Sequence, residues 1–155
     1  MIRLNLPDFT FRIREQNSRS EIFDPVRRIF VALTPEEWVR QNFIQFLVQE
    51  KNIPLSLIGV EKAHTLYKMK RRSDILIFGD RGLPVMVVEC KAPTVKISQK
   101  SFDQVARYNM ILKVKYLVVT NGLQHFCSLI DYEQASYSFL EEIPDYSVLK
   151  IQLKE

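Results

Sequence analysis

Apolar and polar residues alternate one by one in "FTFRIRE" (residues 9–15), the period of a half-buried strand. A turn-like stretch then leads to a second extended run over residues 28–33. At Thr34 the period lengthens. In "TPEEWVRQNFIQFLVQEKN", Val39, Phe43, Phe46 and Leu47 recur on one helical face. Thr34 suits an N-cap and Pro35 the first helical position. Glu37, three residues after Thr34, completes the pattern of a capping box. Asn52 and Pro54 stop the helix.

Beyond residue 54 short apolar runs dominate. "LSLIGVEKAHTLY" predicts a strand, broken or bulged near Gly59. "SDILIFG" and "PVMVVECK" predict two more, joined by a hairpin turn at "DRG". "SQKSFDQVARYNMILK" returns to helical spacing. Ser98 or Ser101 is its cap, and Phe102, Val105, Ala106, Asn109 and Leu112 lie along one side. "YLVVT" is apolar almost throughout, as in a strand buried on both faces. "NG" turns it into "LQHFCSLID", and "SYSFLEE" and "SVLKIQL" read as a last extended pair.

This order predicts a mixed α/β fold, with helices packed on a central mixed β-sheet. The expected organisation is one domain over residues 1–155. Its core covers about 34–131, with N-terminal strands over 9–33 and C-terminal strands over 136–153. The chain has 155 residues, enough for one proper core. It is 46% hydrophobic and 26% charged, ordinary values for a globular protein. No apolar run approaches the ~20 residues of a membrane span. The first residues do not read as a signal peptide, so the expected location is the cytoplasm. The net charge of +4 is modest support for a polyanionic partner. "YKMKRR" is the densest basic patch, and it directly precedes Asp74. A solvated strand end explains such a run equally well. Cys90 and Cys127, the only cysteines, have no ligand spacing to His64 or His125, and they read as reduced, buried small hydrophobes. The histidines read as structural or exposed.

The chemistry lies at two strand ends. Asp74 starts one strand of a predicted hairpin, and Glu89 and Lys91 end the other. Antiparallel pairing brings Asp74 beside Glu89 and Lys91, and period two puts the latter pair on one face. An ion-pair cluster, with Lys91 neutralising one acid, is the structural explanation. It is a poor stabiliser once desolvation is counted. The functional explanation is a hard-cation site: two carboxylates, a backbone carbonyl and water make a Mg²⁺ shell. A lysine beside it would align an attacking water or support charge on a phosphoryl group.

Asp74 followed by Glu89-Cys90-Lys91 at the end of a hairpin resembles the D…ExK signature of the PD-(D/E)xK nuclease superfamily. "DPVRRIFVALTPEEWVRQNFIQFL", "RRSDILIF", "VVECKAP", "FDQVARYN" and "YLVVTNG", in this order, resemble the N-terminal nuclease domain of type I restriction enzyme R subunits. The resemblance covers roughly residues 22–126 and implies a restriction-endonuclease-like core. It implies Mg²⁺ (or Mn²⁺) held by Asp74 and Glu89 with the Cys90 carbonyl, and Lys91 as the catalytic lysine. Gln104 and Tyr108 match the family's Q-x-x-x-Y motif. Their spacing of four puts them on one helix face, where ordinary surface positions explain them as well. Glu37 matches an acidic residue of the first helix that can join the metal, a role its capping position rivals. Glu61 is a weaker match.

The expected function is a Mg²⁺-dependent DNA endonuclease-like domain. Lys68, Lys70, Arg71 and Arg72 would contact phosphates, which require charge rather than sequence. No G-x-x-x-x-G-K-[ST] phosphate loop is present, so ATP binding and ATP-driven translocation are not expected of this chain. Restriction-modification or motor subunits are the expected protein partners, with no role at a membrane. The rivals are a non-catalytic nucleic-acid-binding or assembly module with a silent site, and a structural protein whose charges form only an ion-pair network.

Overall fold

The computed structural model describes residues 1–66, 69–79, 81–110 and 112–153, with the side chains of 61–66, 69–73, 108 and 151–153 left aside. Two sheets form. The smaller is antiparallel, in the order β1 (Ile13–Gln16), β2 (Arg19–Asp24), β3 (Ile29–Ala32). Asn17 and Ser18, at φ 54° and 62°, make the tight turn between β1 and β2. Strand pairing begins at Ile13↔Ile22, so the alternation seen from residue 9 produces a shorter strand than expected. One face of this sheet carries Phe23 and Phe30. The Arg12 guanidinium lies over both rings, at 4.6 and 5.4 Å, and that of Arg14 lies 4.0 Å from Phe30.

Helix α1 (Pro35–Gln49) starts at the expected cap, where Thr34 Oγ1 accepts a bond from the Glu37 amide at 3.0 Å. The other half of the capping box does not form. The Thr34 amide donates to the Ala32 carbonyl, and the Glu37 carboxylate turns into the protein instead. Val39, Phe43, Ile44 and Leu47 are fully buried.

The main sheet has six strands in sequence order: β4 (Ile58–Leu66), β5 (Met69–Phe78), β6 (Pro84–Cys90), β7 (Tyr116–Thr120), β8 (His125–Asp131) and β9 (Ser136–Leu140). Among the described residues only β6 and β7 run parallel, and α2 (Gln99–Met110) makes the crossover between them. This is the mixed α/β class expected. Ser98 caps α2 by accepting from the Ser101 amide at 3.1 Å. The sheet is covered on both faces. On one side α1 packs on Ile75, Ile77, Met86, Val88 and Val118. On the other, Phe102, Val105 and Ala106 of α2 pack on Leu76, Val87, Leu117 and Val119. Strand β7, pressed between the two layers, is buried throughout, as its apolar run predicts.

Two elements differ from the sequence reading. A 3-10 turn at Leu55–Leu57 precedes β4, which runs past Gly59 unbroken and pairs it with Leu76. The register irregularity falls between Ile77 and Phe78 instead. "SVLKIQL" is not a strand but part of α3 (Tyr146–Leu153). Asp145 starts this helix: its carboxylate accepts from the Val148 amide and its carbonyl from the Leu149 amide. Burial of Leu149, 1% exposed, then outweighs the strand preference of the β-branched residues around it. The C-terminal segment is therefore a strand followed by a helix. Among the described residues no helix is long and apolar enough to cross a membrane.

Candidate functional site

The β5–β6 ladder ends at Ile75↔Val88, whereas β4–β5 pairing continues to Leu66↔Met69. The β4–β5 ribbon therefore runs on past the end of β6. Asp74 is the first residue beyond the last β5–β6 rung. Its Oδ2 accepts a bond from the Cys90 amide at 2.7 Å. The next amide, that of Lys91, turns the other way and donates to the Thr120 carbonyl of β7 at 2.8 Å. The Asp74 carboxylate thus takes the place of the missing rung, on the amide that lies between Glu89 and Lys91. Alternation places Glu89 on the Val87 face, where it is 9% exposed, and Lys91 is half-buried. The structure brings these three residues to one end of the sheet, as the hairpin argument requires.

A chain of ion pairs ties this point to the rest of the fold. Arg40, 3% exposed, donates from Nη2 to Asp74 Oδ1 at 2.9 Å and to Glu36 at 2.8 Å. Its Nη1 donates to Glu37 Oε1 at 2.7 Å. Arg27 Nη2 reaches the same Glu37 oxygen at 3.1 Å, and Gln41 Nε2 donates to Oε2 at 3.0 Å. Arg27 in turn donates through Nε to Asp24, which also accepts the Val26 and Arg27 amides. Burial pulls the Arg40 pKa down, but Glu37 and Asp74 outweigh it and the net shift is upward. For Arg27 burial likewise opposes and Asp24 and Glu37 prevail. Both guanidinium groups stay charged. Beside Arg27 and Arg40, the N-terminus of α1, the end of β3 and Ala92 bound an open cleft of about 500 Å³.

The cation that meets Asp74 is therefore Arg40, which the sequence reading passed over. The signal was present: Arg40 follows Glu36 and Glu37 by four and three residues, beside the buried positions Val39 and Phe43. Arg27 and the buried Gln41 were missed too. Both Glu37 oxygens are engaged by Arg27, Arg40 and Gln41, so its observed contacts are structural. Gln104 lies exposed on α2. Helical periodicity turns it away from the buried stripe of Phe102, Val105, Ala106 and Asn109. The side chains of Glu61, Lys70, Arg71, Arg72 and Tyr108, and the whole of Lys68, lie outside the described residues. The backbone register of Lys70, Arg71 and Arg72 places them on the projecting β4–β5 ribbon, opposite Thr65, His64 and Ala63.

Both cysteines are free and buried. Burial first, then the charge of Asp74, raises the Cys90 thiol well above its ordinary pKa. Burial pushes that of Cys127 up to about 12. Neither is a thiolate, so soft-metal ligation is disfavoured. The donors at the strand end are oxygens: two carboxylates and the backbone carbonyl of Cys90. Each Asp74 oxygen accepts a hydrogen bond and keeps a second acceptor direction. Among the described residues no three His, Cys, Asp or Glu side chains form a metal cluster. This donor set fits Mg²⁺ or Mn²⁺, which take one or two carboxylates and complete their shell with water. It does not fit a closed zinc cage.

The model of the type I restriction enzyme R protein N terminus (HSDR_N) matches residues 35–144. The chain belongs to this family. The matched HSDR_N region contains α1, β4 to β9 and α2, and so includes every residue at the strand end. Among solved structures, the chain is similar to a fragment of a protein assigned as the HsdR subunit of a type I restriction enzyme from Vibrio vulnificus YJ016. The identity is 21% and the TM-score 0.46, over 68% of this chain and 23% of that one. The HSDR_N chain thus spans about a quarter of that solved fragment's length. No curated protein matches it.

Proposed function

We propose that this HSDR_N chain is a Mg²⁺-dependent DNA endonuclease module that hydrolyses phosphodiester bonds. The observation that carries the reading is the Asp74 carboxylate on the Cys90 amide, between Glu89 and Lys91, in a chain of the R-subunit family. Asp74 and Glu89 would hold the cation, with the Cys90 carbonyl. When bound, Mg²⁺ supplies Lewis-acid polarisation of the phosphoryl group and a lowered pKa for water. Lys91 aligns the attacking water and supports the charge that grows on the phosphoryl oxygens. The Lys70–Arg71–Arg72 segment of the β4–β5 ribbon, continued by Lys68, positions the phosphate backbone beside the strand end. Sequence choice and any ATP-driven movement then belong to other restriction-modification subunits, working with this chain in the cytoplasm.

A second reading, a binding or assembly module on a nuclease-like fold, draws on the hydrogen bonds that already engage both oxygens of Asp74. One experiment separates the two. Calorimetric Mn²⁺ titration and plasmid nicking are run on wild type, Asp74→Ala and Lys91→Ala, with circular dichroism to verify folding. Nicking should fall on the order of 10²-fold or more in Lys91→Ala. Metal binding should persist in that variant, because an ammonium is not a ligand. Asp74→Ala should lose both. A wild type that neither binds Mn²⁺ nor nicks any DNA form refutes the catalytic reading.

A further inference from the structure

The small sheet has two unlike faces. Ile22 and Asp24 of β2 are fully buried, so the face that carries them is turned into the protein. The register puts Arg12 and Arg14, Arg19, Glu21 and Phe23 of β2, and Phe30 of β3 on the other face. All six are exposed or half-buried. The Phe23 and Phe30 ring centroids are 5.3 Å apart, and the guanidinium groups of Arg12 and Arg14 lie over the rings. We infer that this face binds a single strand of DNA, on a surface separate from the β4–β5 ribbon. The small sheet precedes the matched HSDR_N region, residues 35–144, so it is not part of what the family match covers.

Charge points to a polyanion. Three arginines share the face with one acid, Glu21, whose Oε1 accepts from Arg14 Nε at 2.9 Å. No carboxylate among the described residues pairs with Arg12 or Arg19. The same excess disfavours a second copy of the chain, since two such faces would set arginine against arginine. The rings point to an unpaired strand. Phosphate contacts need charge alone, and a duplex keeps its base faces stacked on one another. Unpaired bases instead stack on aromatic rings and guanidinium planes, while the cations hold the phosphates.

Position points to DNA. Ala32, opposite Glu21 in the register, ends β3 on this face and borders the open cleft beside Arg27 and Arg40. Ala92, the residue after Lys91, borders the same cleft. A strand lying on the face is thereby led toward the strand end of β6. The acids on that route, Glu36 and Glu37, are held by Arg40 and Arg27. The choice of DNA over RNA rests on the nuclease reading; the capture of a single strand does not.

The test is fluorescence anisotropy of a labelled oligo(dT) of about 12 nucleotides with the full chain, in EDTA, so that neither metal nor cleavage enters. Wild type should bind, and less tightly as salt rises. Arg12→Gln combined with Arg19→Gln should weaken binding on the order of ten-fold or more and reduce the log–log salt slope by about 0.7 for each phosphate no longer neutralised. Phe30→Leu keeps an apolar side chain without a π-face, and it should weaken binding on the order of ten-fold with the salt slope unchanged. Glu21→Gln should tighten binding, which a loss of structure would not do. If Phe30→Leu fails to fold, as judged by circular dichroism, the arginine and Glu21 variants still decide. A wild type that does not bind oligo(dT), or binding that the face variants leave unchanged, overturns the inference and leaves the nuclease reading standing, because that reading is measured by metal binding and nicking. Self-association that the arginine variant abolishes would make the face a contact between copies and also overturns it. Tighter binding of oligo(U) than of oligo(dT) overturns the choice of DNA.

Discussion

Glu37 is the hub of the ion network, and replacing it with Gln tests whether that network holds α1 to the rest of the fold. The substitution keeps the shape of the side chain and the Glu37 amide bond to Thr34. It removes the anion that the buried Arg40 and the half-buried Arg27 share, at 2.7 and 3.1 Å. The side chain of Glu37 is 8% exposed, that of Arg40 3% and that of Arg27 20%. Breaking a buried pair by neutralising one partner costs about 3–5 kcal/mol. The lower end applies here. Arg40 keeps Asp74 and Glu36, Arg27 keeps Asp24, and the Gln carbonyl can still accept one bond. A loss of about 3 kcal/mol lowers the melting temperature by roughly 6–12 °C in a chain of this size. Urea denaturation followed by circular dichroism measures it, and the m-value should not change. A cycle with Arg40→Met should give a coupling of about 1 kcal/mol or more. A loss below about 1 kcal/mol, or sites that are simply additive, would mean that these charges sit in effectively aqueous surroundings.

Three other outcomes follow from the same structure. His125 bridges the N-terminal segment and β7 through Asn5 O and Thr120 Oγ1, and burial lowers its pKa against the opposing pull of the Asn5 bond. Its folded pKa lies below the unfolded value. Its contribution is therefore present above about pH 6.5 and lost as pH falls through the folded pKa, and His125→Gln should flatten that slope in urea titrations between about pH 7 and 5. Gly122 has φ +85°, and an added Cβ would lie 2.6 Å from Leu4 Cδ2, whereas Gly82, at φ +72°, has open space around it. Gly122→Ala should cost about 2–3 kcal/mol and Gly82→Ala only about 1 kcal/mol of backbone strain, and equal effects in chemical denaturation would discount the Leu4 clash. Reversal of Lys70, Arg71 and Arg72 to Glu should weaken binding to every duplex and reduce the log–log salt slope by about 0.9 for each phosphate no longer neutralised. An unchanged slope would place the DNA surface elsewhere.

Local pattern determined much of this protein. The shift from period two to 3.6 at Thr34, the Ser98 cap, one of the two serines the sequence offered, and the continuous apolar run of β7 each depend on near neighbours in the chain. The meeting of Asp74 with the Glu89–Lys91 end of β6 was legible for the same reason, because a short hairpin fixes which residues lie opposite one another. Tertiary structure decided the rest. "SVLKIQL" has no strong period, so docking of Leu149 into the core chose helix over strand. Glu37 had an equally good local partner in its own cap. It left that partner because Arg27, ten residues earlier in the chain, and Arg40 offered two charges where Glu37 is largely buried. Arg40's local spacing to Glu36 and Glu37 was visible, but its role beside Asp74 was not, for the same physical reason. Its decisive partner, Asp74, is 34 residues away, and only the packing of α1 against the sheet takes both out of solvent, where a charge must find its counter-charge.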